Sequence, residues 1–538
     1  MSVRDPDFII VGAGAAGCTL AREIVTRGLG SVLMLESGAV PRAGRLNVPS
    51  DYLKTFGSRW DWDHRTSSQK GLGQRVVRLP AGHALGGSTA INAMIWIEPD
   101  RRDFELWHRE GGQQWCLASI DEAFTRLRTW LEAFHLPSLP PLHPRMQRLL
   151  EQSAQHAWVA SSFPSGFDRP RLGIDAYRRM QSRGRRVSLW NLLARDRQRW
   201  PITTQQQLRV IPDTRVVRLL FDGDRTIGAR CISSTGGIVE RRANRGVLLC
   251  AGTVETPRLM MASGLGPRDD LQWSGIPCRL DLPELGKGLQ DHLVFPIVYR
   301  LESKSNASTR SESDRQREAR LQYLRDRSGP RSSNLAELGG FLQLSKTKEV
   351  GSNSSVAQFQ LHITPTHYLE PNPFGGRGEH VSFAVTPLQS GSRGSIELAR
   401  AKGDWGAESL PPVTIDPDYL SKETDREEYL SAIEAVKDLI SGSPWGEWLG
   451  QEVFPKWKDH ERLASYLQRF TSTIYHYAGT CAMGSHKESC LNGSLQVRGV
   501  EQLWVCDASA MPRLVGCNPQ ASVAMMAVRL ADMISEAI

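Results

Sequence analysis

The sequence predicts an α/β protein. A Rossmann-like dinucleotide-binding domain, assembled from discontinuous segments, carries an inserted α+β substrate domain built on an antiparallel sheet. Three observations predict it. The chain opens with a buried strand, a glycine motif, a helix and a second strand. Short apolar runs ending in small residues or an acid return at residues 246–252 and 503–507. Between about 300 and 470 the pattern changes to alternating apolar and polar residues, as in a sheet with one wet face.

Phe8-Ile9-Ile10-Val11 is continuously apolar, as expected of a buried parallel strand, and runs into Gly12-Ala13-Gly14-Ala15-Ala16-Gly17. The first glycine permits the tight turn, the second lets backbone approach a pyrophosphate, and the third lets helix and strand pack closely. Cys18 to Ile24 carries helical apolar spacing, so free N–H groups and the positive dipole end meet the phosphates. Ser31 to Leu35 is the second strand, ending at Glu36, 19 residues beyond Gly17, where a ribose acceptor belongs. An acid there repels a 2′-phosphate and argues against NADP.

A Trp-bearing loop, Trp60-Asp61-Trp62-Asp63, precedes a small-residue segment from Arg78 to Asn92 that contains Gly86-Gly87-Ser88-Thr89 and suits close approach to a ligand. Residues 117–160 read as helical. Leu208–Ile211 and Val216–Phe221 read as strands, with Asp222-Gly223-Asp224 as a turn. Gly246 to Gly252 is a buried strand leading to Pro257 at a helix start. Ser/Arg-rich residues 303–333 read as a surface insertion, and Ala357–Ile363 as an antiparallel strand. A helix is expected around Tyr429–Ile433, a strand at Leu503–Asp507, and a final apolar helix at Ala521–Ile534. The expected division is 1–155, 206–298 and 476–538 for the nucleotide domain, with 156–205 and 299–475 as the substrate domain.

The net charge of +8 is not organised for nucleic acid. Between Arg310 and Arg331, Asp314, Glu318 and Asp326 alternate with the arginines, as on a solvated helix face. No apolar run reaches the length of a membrane span, and the first strand at Phe8 leaves no room for a leader. The nine scattered cysteines lack CxxC pairs, so a reducing, cytoplasmic setting is expected. His476, Cys481, His486 and Cys490 lack metal-ligand spacing.

Candidate chemistry sits near the C-terminus, in Tyr475-His476-Tyr477-Ala478-Gly479-Thr480-Cys481 and Asn518-Pro519-Gln520. A histidine, with its ordinary pKa of about 6.5, can accept a proton near neutral pH. An amide cannot exchange one but can hydrogen-bond and orient a substrate oxygen. His292 and His362 read as structural.

In order along the chain, the Gly12–Gly17 motif, Leu85-Gly86-Gly87-Ser88-Thr89, Gly252-Thr253-Val254-Glu255-Thr256-Pro257, Ser263-Gly264-Leu265-Gly266, Leu289-Gln290-Asp291-His292, Ser392-Arg393-Gly394, Tyr475-His476, Asp507-Ala508-Ser509 and Asn518-Pro519 resemble the glucose–methanol–choline family of FAD-dependent alcohol oxidoreductases. The resemblance spans nearly the whole chain. It implies FAD, with a cradle of Gly12, Gly14, Ala15, Ala16, Gly17, Glu36, Ser37, Trp60, Leu85, Gly87, Asn92, Ala93, Met94, Ile95, Val216, Ala251, Gly252, Tyr475, Asp507, Ala508, Asn518 and Pro519. Tyr475 either packs on the flavin or belongs to the core; Asp507 is expected to face the ribityl chain. His476 is implied as the base, with Gln520 at the family's second active-site position, usually His or Asn. Relatives with covalent flavin use a histidine where this chain has Ile91, so FAD is expected to be non-covalent. His83 and the extra Cys517 depart from the family pattern.

The expected reaction is oxidation of an alcohol, whether a primary alcohol or a hydroxyl of a sugar or amino-cyclitol. Hydride passes to flavin N5, and electrons then go to oxygen, a quinone or a redox protein. The alternatives are a flavin-bound hydroxynitrile lyase and a non-enzymatic FAD-binding module.

Overall fold

The computed structural model describes residues 5–41, 44–153, 173–301, 312–343, 358–368, 379–399, 409–457 and 459–537. Five short strands, all but the edge strand Leu208–Ile211 fully or largely buried, form one parallel sheet in the order Leu503–Val505, Gly246–Leu249, Phe8–Val11, Val32–Leu35, Leu208–Ile211. Being parallel, all five send their following loops to one edge. That edge therefore gathers Gly12, Glu36, Ala251-Gly252 and Asp507 from segments nearly 500 residues apart. In open α/β sheets this carboxyl-end crevice is where ligands bind.

The first helix, Ala15–Thr26, packs on the last, Gln520–Glu536. The last helix is buried at every position from Ala521 to Ile534, as an all-round apolar helix must be. Its two charged residues inside that run pair with each other, Arg529 Nη1 to Asp532 at 2.6 Å, and Arg27 and Arg126 also reach Asp532.

The second sheet is antiparallel. It runs Glu452–Phe454, Leu293–Arg300, His380–Pro387, Phe359–Thr364, Leu338–Leu342, Gly173–Ala176, and Ser472–Thr473 pairs with the strand 293–300. Helix Glu423–Ser441 covers one face. In strand 359–364 all six residues are buried: Phe359, Leu361 and Ile363 enter the core under that helix, while His362 and Thr364 line a cavity on the other face. The expected boundary at 298/299 falls inside the strand Leu293–Arg300, so the second sheet takes over by residue 293. The boundary at 155/156 lies outside the described residues.

Three local expectations change. Residues 117–160 are not one helical stretch: Leu117–Glu132 and Pro144–Ser153 are helical, with Pro137, Pro140 and Pro141 between them, and 154–160 lie outside the described residues. Pro257 is not at a helix start but inside Gly252–Ala262. The Thr253 carbonyl, which Pro257 cannot bond, accepts from Thr480 Oγ1 at 2.7 Å instead. Of the expected insertion 303–333, residues 303–311 lie outside the described residues, and Glu312–Asp326 is a charged helix. Among the described residues no helix is long and apolar enough to cross a membrane.

Candidate active site

A cavity enclosing about 2100 Å³, open space at its mouth included, runs from the crevice of the parallel sheet to the antiparallel sheet. At the sheet end, no side chain caps the first helix, whose N-terminal residues Ala15 and Ala16 line the cavity with Gly14. Those uncapped amides suit a pyrophosphate. A Cβ on Gly12 would lie 2.4 Å from the Cys250 carbonyl oxygen, and Gly12 has φ of +101°. A Cβ on Gly17 would lie 2.0 Å from the Gly12 oxygen. Gly87 meets the motif directly, its Cβ position 2.8 Å from Gly14 Cα, so the two small-residue segments form one cradle.

Glu36 accepts from the Ala13 and Gly38 amides, each at 2.8 Å. Burial outweighs these donors and pushes its carboxyl up to about 7. Asp507 lines the cavity, while its carboxylate accepts from Gly252 N at 2.8 Å, Thr256 Oγ1 at 2.7 Å and Ser509 N at 2.8 Å. It therefore braces two loops as well as facing the ligand space.

Of the expected cradle, three residues do not line the cavity. Gly17 serves helix–strand packing, Leu85 lies in the core, and Trp60 packs on Ala90, Ile91 and Leu46 under Arg59. Trp62, two residues on, lines the wall, with the His83 ring centroid 4.1 Å from its own. The remaining expected residues all contribute to the lining. Tyr475 (φ +68°) and Met94 (φ +62°) do so in the left-handed region, which non-glycine residues hold at a cost.

The far end holds His476, Asn518, Gln520 and His362. Asn518 Nδ2, not the Gln520 amide, lies against His476 Nε2, at 3.1 Å. Gln520 is the first residue of the last helix, and its Oε1 accepts from Asn92 Nδ2 at 2.5 Å. Asn92 is oriented in turn, because its Oδ1 accepts from Met94 N and Arg186 Nη1, both at 2.9 Å. Gln520 Nε2 is left buried without a partner on the cavity wall. An orphaned donor beside a candidate base is a place for a substrate oxygen. Cys517 is buried, its thiol 3.8 Å from the Ile97 carbonyl, so the extra residue is absorbed inward.

Sequence reasoning missed two histidines. His292 Nδ1 lies 3.0 Å from His476 Nδ1. Both ring nitrogens of His362 are buried without a hydrogen-bond partner on the cavity wall. Burial holds His292 down to about 4 and His362 to about 3, and burial with the two neighbouring rings holds His476 well below its usual value. All three are neutral at pH 7. The His292 signal was present in Gln290-Asp291-His292, whereas His362 could be found only from the register of its strand.

A family model described as GMC oxidoreductase matches residues 6–294, and a second with the same description matches residues 390–527. The chain belongs to the GMC oxidoreductases. It is an FAD-dependent oxidoreductase, and the uncapped helix, the glycine cradle and Glu36 fit that cofactor's phosphates and ribose. An uncharacterized GMC-type oxidoreductase of Mycobacterium tuberculosis is 31% identical over 545 residues, covering 98% of this chain and 99% of its own. The alcohol dehydrogenase (acceptor) of Pseudomonas putida is 29% identical over 98% of this chain and 95% of its own. Pyridoxine 4-oxidase from Mesorbium loti shares the fold, with a TM-score of 0.81 at 23% identity, covering 98% of this chain and 99% of that one.

Proposed function

We propose that this oxidoreductase converts an uncharged alcohol to the aldehyde or ketone. The observation that carries the reading is the convergence of His476 Nε2, the Asn518 amide and the unpaired Gln520 Nε2 on one end of the cavity. FAD, when bound, accepts the hydride from the carbinol carbon. The substrate hydroxyl displaces the Asn518 contact, gives its proton to His476 Nε2, and leaves its oxygen held by Asn518 Nδ2 and Gln520 Nε2. The neutral His362 ring offers one N–H and one lone pair to a second polar group of the substrate. Among the described residues the cavity's three carboxylates are engaged: Glu36 and Asp507 as above, Glu255 by Arg215 and Arg258. That favours an uncharged alcohol over an amino-cyclitol.

Ile91 is buried on the wall and offers no nucleophile, which supports non-covalent FAD. The nine cysteines, none of which forms a disulfide, support a reducing, cytoplasmic setting. The electron acceptor is oxygen, a quinone or a redox protein; oxygen dependence of turnover separates the first from the other two. The test of the reading is anaerobic flavin bleaching by an alcohol panel of ethanol, 1-octanol, benzyl alcohol, a hexose and choline. Bleaching by an uncharged member is expected. No bleaching, with cleavage of hydroxynitriles, would make the protein a lyase.

A further inference from the structure

The reaction needs a bare lone pair on the His476 nitrogen that faces the cavity. We propose that His292 is a positioning residue. It fixes His476 in the tautomer with Nδ1 protonated and Nε2 bare, and it keeps accepting that Nδ1 hydrogen bond while His476 holds the substrate proton. The proposal rests on the reading of His476 as the base.

Some groups around His476 have no choice of role. The Leu388 carbonyl can only accept, and it lies 3.2 Å from His292 Nε2, so Nε2 carries hydrogen. His292 is neutral, so its Nδ1 is a lone pair. His476 Nδ1, 3.0 Å away, must therefore be the donor. His476 is neutral too, which leaves Nε2 bare.

A second run of hydrogen bonds reaches His476 Nε2 from the opposite side. The Leu361 carbonyl takes the single hydroxyl hydrogen of Tyr177 at 3.1 Å. The Gln360 atom 3.1 Å from that hydroxyl must then be a donor, and it is also 3.1 Å from Asn518. Asn518 accepts there with Oδ1 and so turns its NH2 toward His476, where only a lone pair makes a hydrogen bond. Two carbonyls at the ends of one chain of bonds fix every proton between them. The opposite tautomer would set lone pair against lone pair at Nδ1 and N–H against N–H at Nε2.

The two rings are held in register by one carboxylate. Asp291 Oδ1 accepts the backbone N–H of both His292 and His476 at 2.8 Å, while its Oδ2 is held by Tyr419 and Thr473 at 2.5 Å. In serine-protease triads a carboxylate plays the tautomer-fixing part, and converting it to an amide that enforces the wrong tautomer costs about 10⁴-fold in rate. A neutral histidine keeps the selection without burying another full charge beside the base.

The experiment compares wild type, His476→Ala, His292→Leu and His292→Asn holoenzymes. It reads anaerobic flavin reduction by benzyl alcohol, or by whichever panel member bleaches wild type fastest, together with ¹⁵N spectra of histidine-labelled protein. His476 is assigned by its loss in His476→Ala. Wild type should show Nδ1 protonated and Nε2 bare at pH 7.5. His292→Leu should reduce roughly 10²–10³-fold more slowly at unchanged FAD content, with His476 in mixed tautomers. His292→Asn, whose Oδ1 can stand where Nδ1 stood, should recover to within about tenfold of wild type. If His476→Ala reduces at the wild-type rate, the reading of the base fails. If His476→Ala is slow while His292→Leu keeps the wild-type rate and nitrogen pattern, the proposal is overturned. Should His292→Leu not load FAD, the wild-type spectrum decides alone, and a protonated His476 Nε2 overturns it.

Discussion

Removing the Gln520 amide tests the catalytic end of the cavity most sharply, because that side chain holds its one unpaired donor there through Asn92. Gln520→Ala deletes one of two amide donors and leaves Asn518 in place. Loss of one donor from an oxyanion site costs about 2.7–4 kcal/mol, or 10²–10³-fold. With Asn518 retained, the lower end of that range is expected. Gln520→Glu is the more telling change. Asn92 Nδ2 still engages one oxygen, but the other now presents a lone pair where an N–H stood, so at pH 8 the loss should exceed that of Ala. Burial raises carboxyls in this interior, with Glu36 at about 7 and Asp291 at about 6. The introduced acid should therefore protonate as pH falls, regain an O–H donor, and recover rate toward pH 6. Stopped-flow flavin reduction without oxygen, from pH 5.5 to 9, reads all three enzymes. An Ala variant indistinguishable from wild type, or a Glu variant whose profile parallels wild type, would refute the assignment of Gln520 as a donor.

Four other outcomes are expected. Because burial and the two neighbouring histidines hold His476 well below 6.5, wild-type flavin reduction should be flat through the ordinary histidine value and above it, and fall only further into acid; a midpoint near 7 would contradict that environment. His476→Ala should keep a near-normal flavin spectrum and lose about 10²–10⁴-fold in that step, which the same stopped-flow trace measures. Gly87→Ala should lose FAD and stability, by about 1–3 kcal/mol for overpacking against Gly14, read as the 450/280 nm ratio and a thermal melt. Acid precipitation should leave the yellow colour in the supernatant, and flavin retained in the washed pellet would show a covalent link despite Ile91.

The cofactor end was legible in the sequence because its signals are local. A buried strand, three glycines, a helix and a terminal acid lie within residues 8–36, and the turn they need can be built only one way. Three expectations there fail. Trp60 was expected on the wall where Trp62 stands, Leu85 was expected there and lies in the core, and Pro257 was expected at a helix start. Only the tertiary partner of the Thr253 carbonyl, Thr480, shows how the helix tolerates a proline in its interior.

The catalytic end was legible in its residue types but not in its pairings. Counting back from the last helix put Gln520 opposite His476, but although Gln520 opens that helix, its amide is not the one against the histidine. Asn92, 428 residues away in sequence, draws its oxygen aside, and Asn518 takes the place against His476. His292 precedes His476 by 184 residues, and the pairing of the 293–300 strand with Ser472–Thr473 brings their Nδ1 atoms to 3.0 Å. Proton affinity was hidden for the same reason. A free histidine titrates near 6.5, but one walled in by two uncharged rings sheds its proton far more readily. The proposed base is thus kept neutral into acid, below the range where a free imidazole would begin to protonate, by where its neighbours are folded.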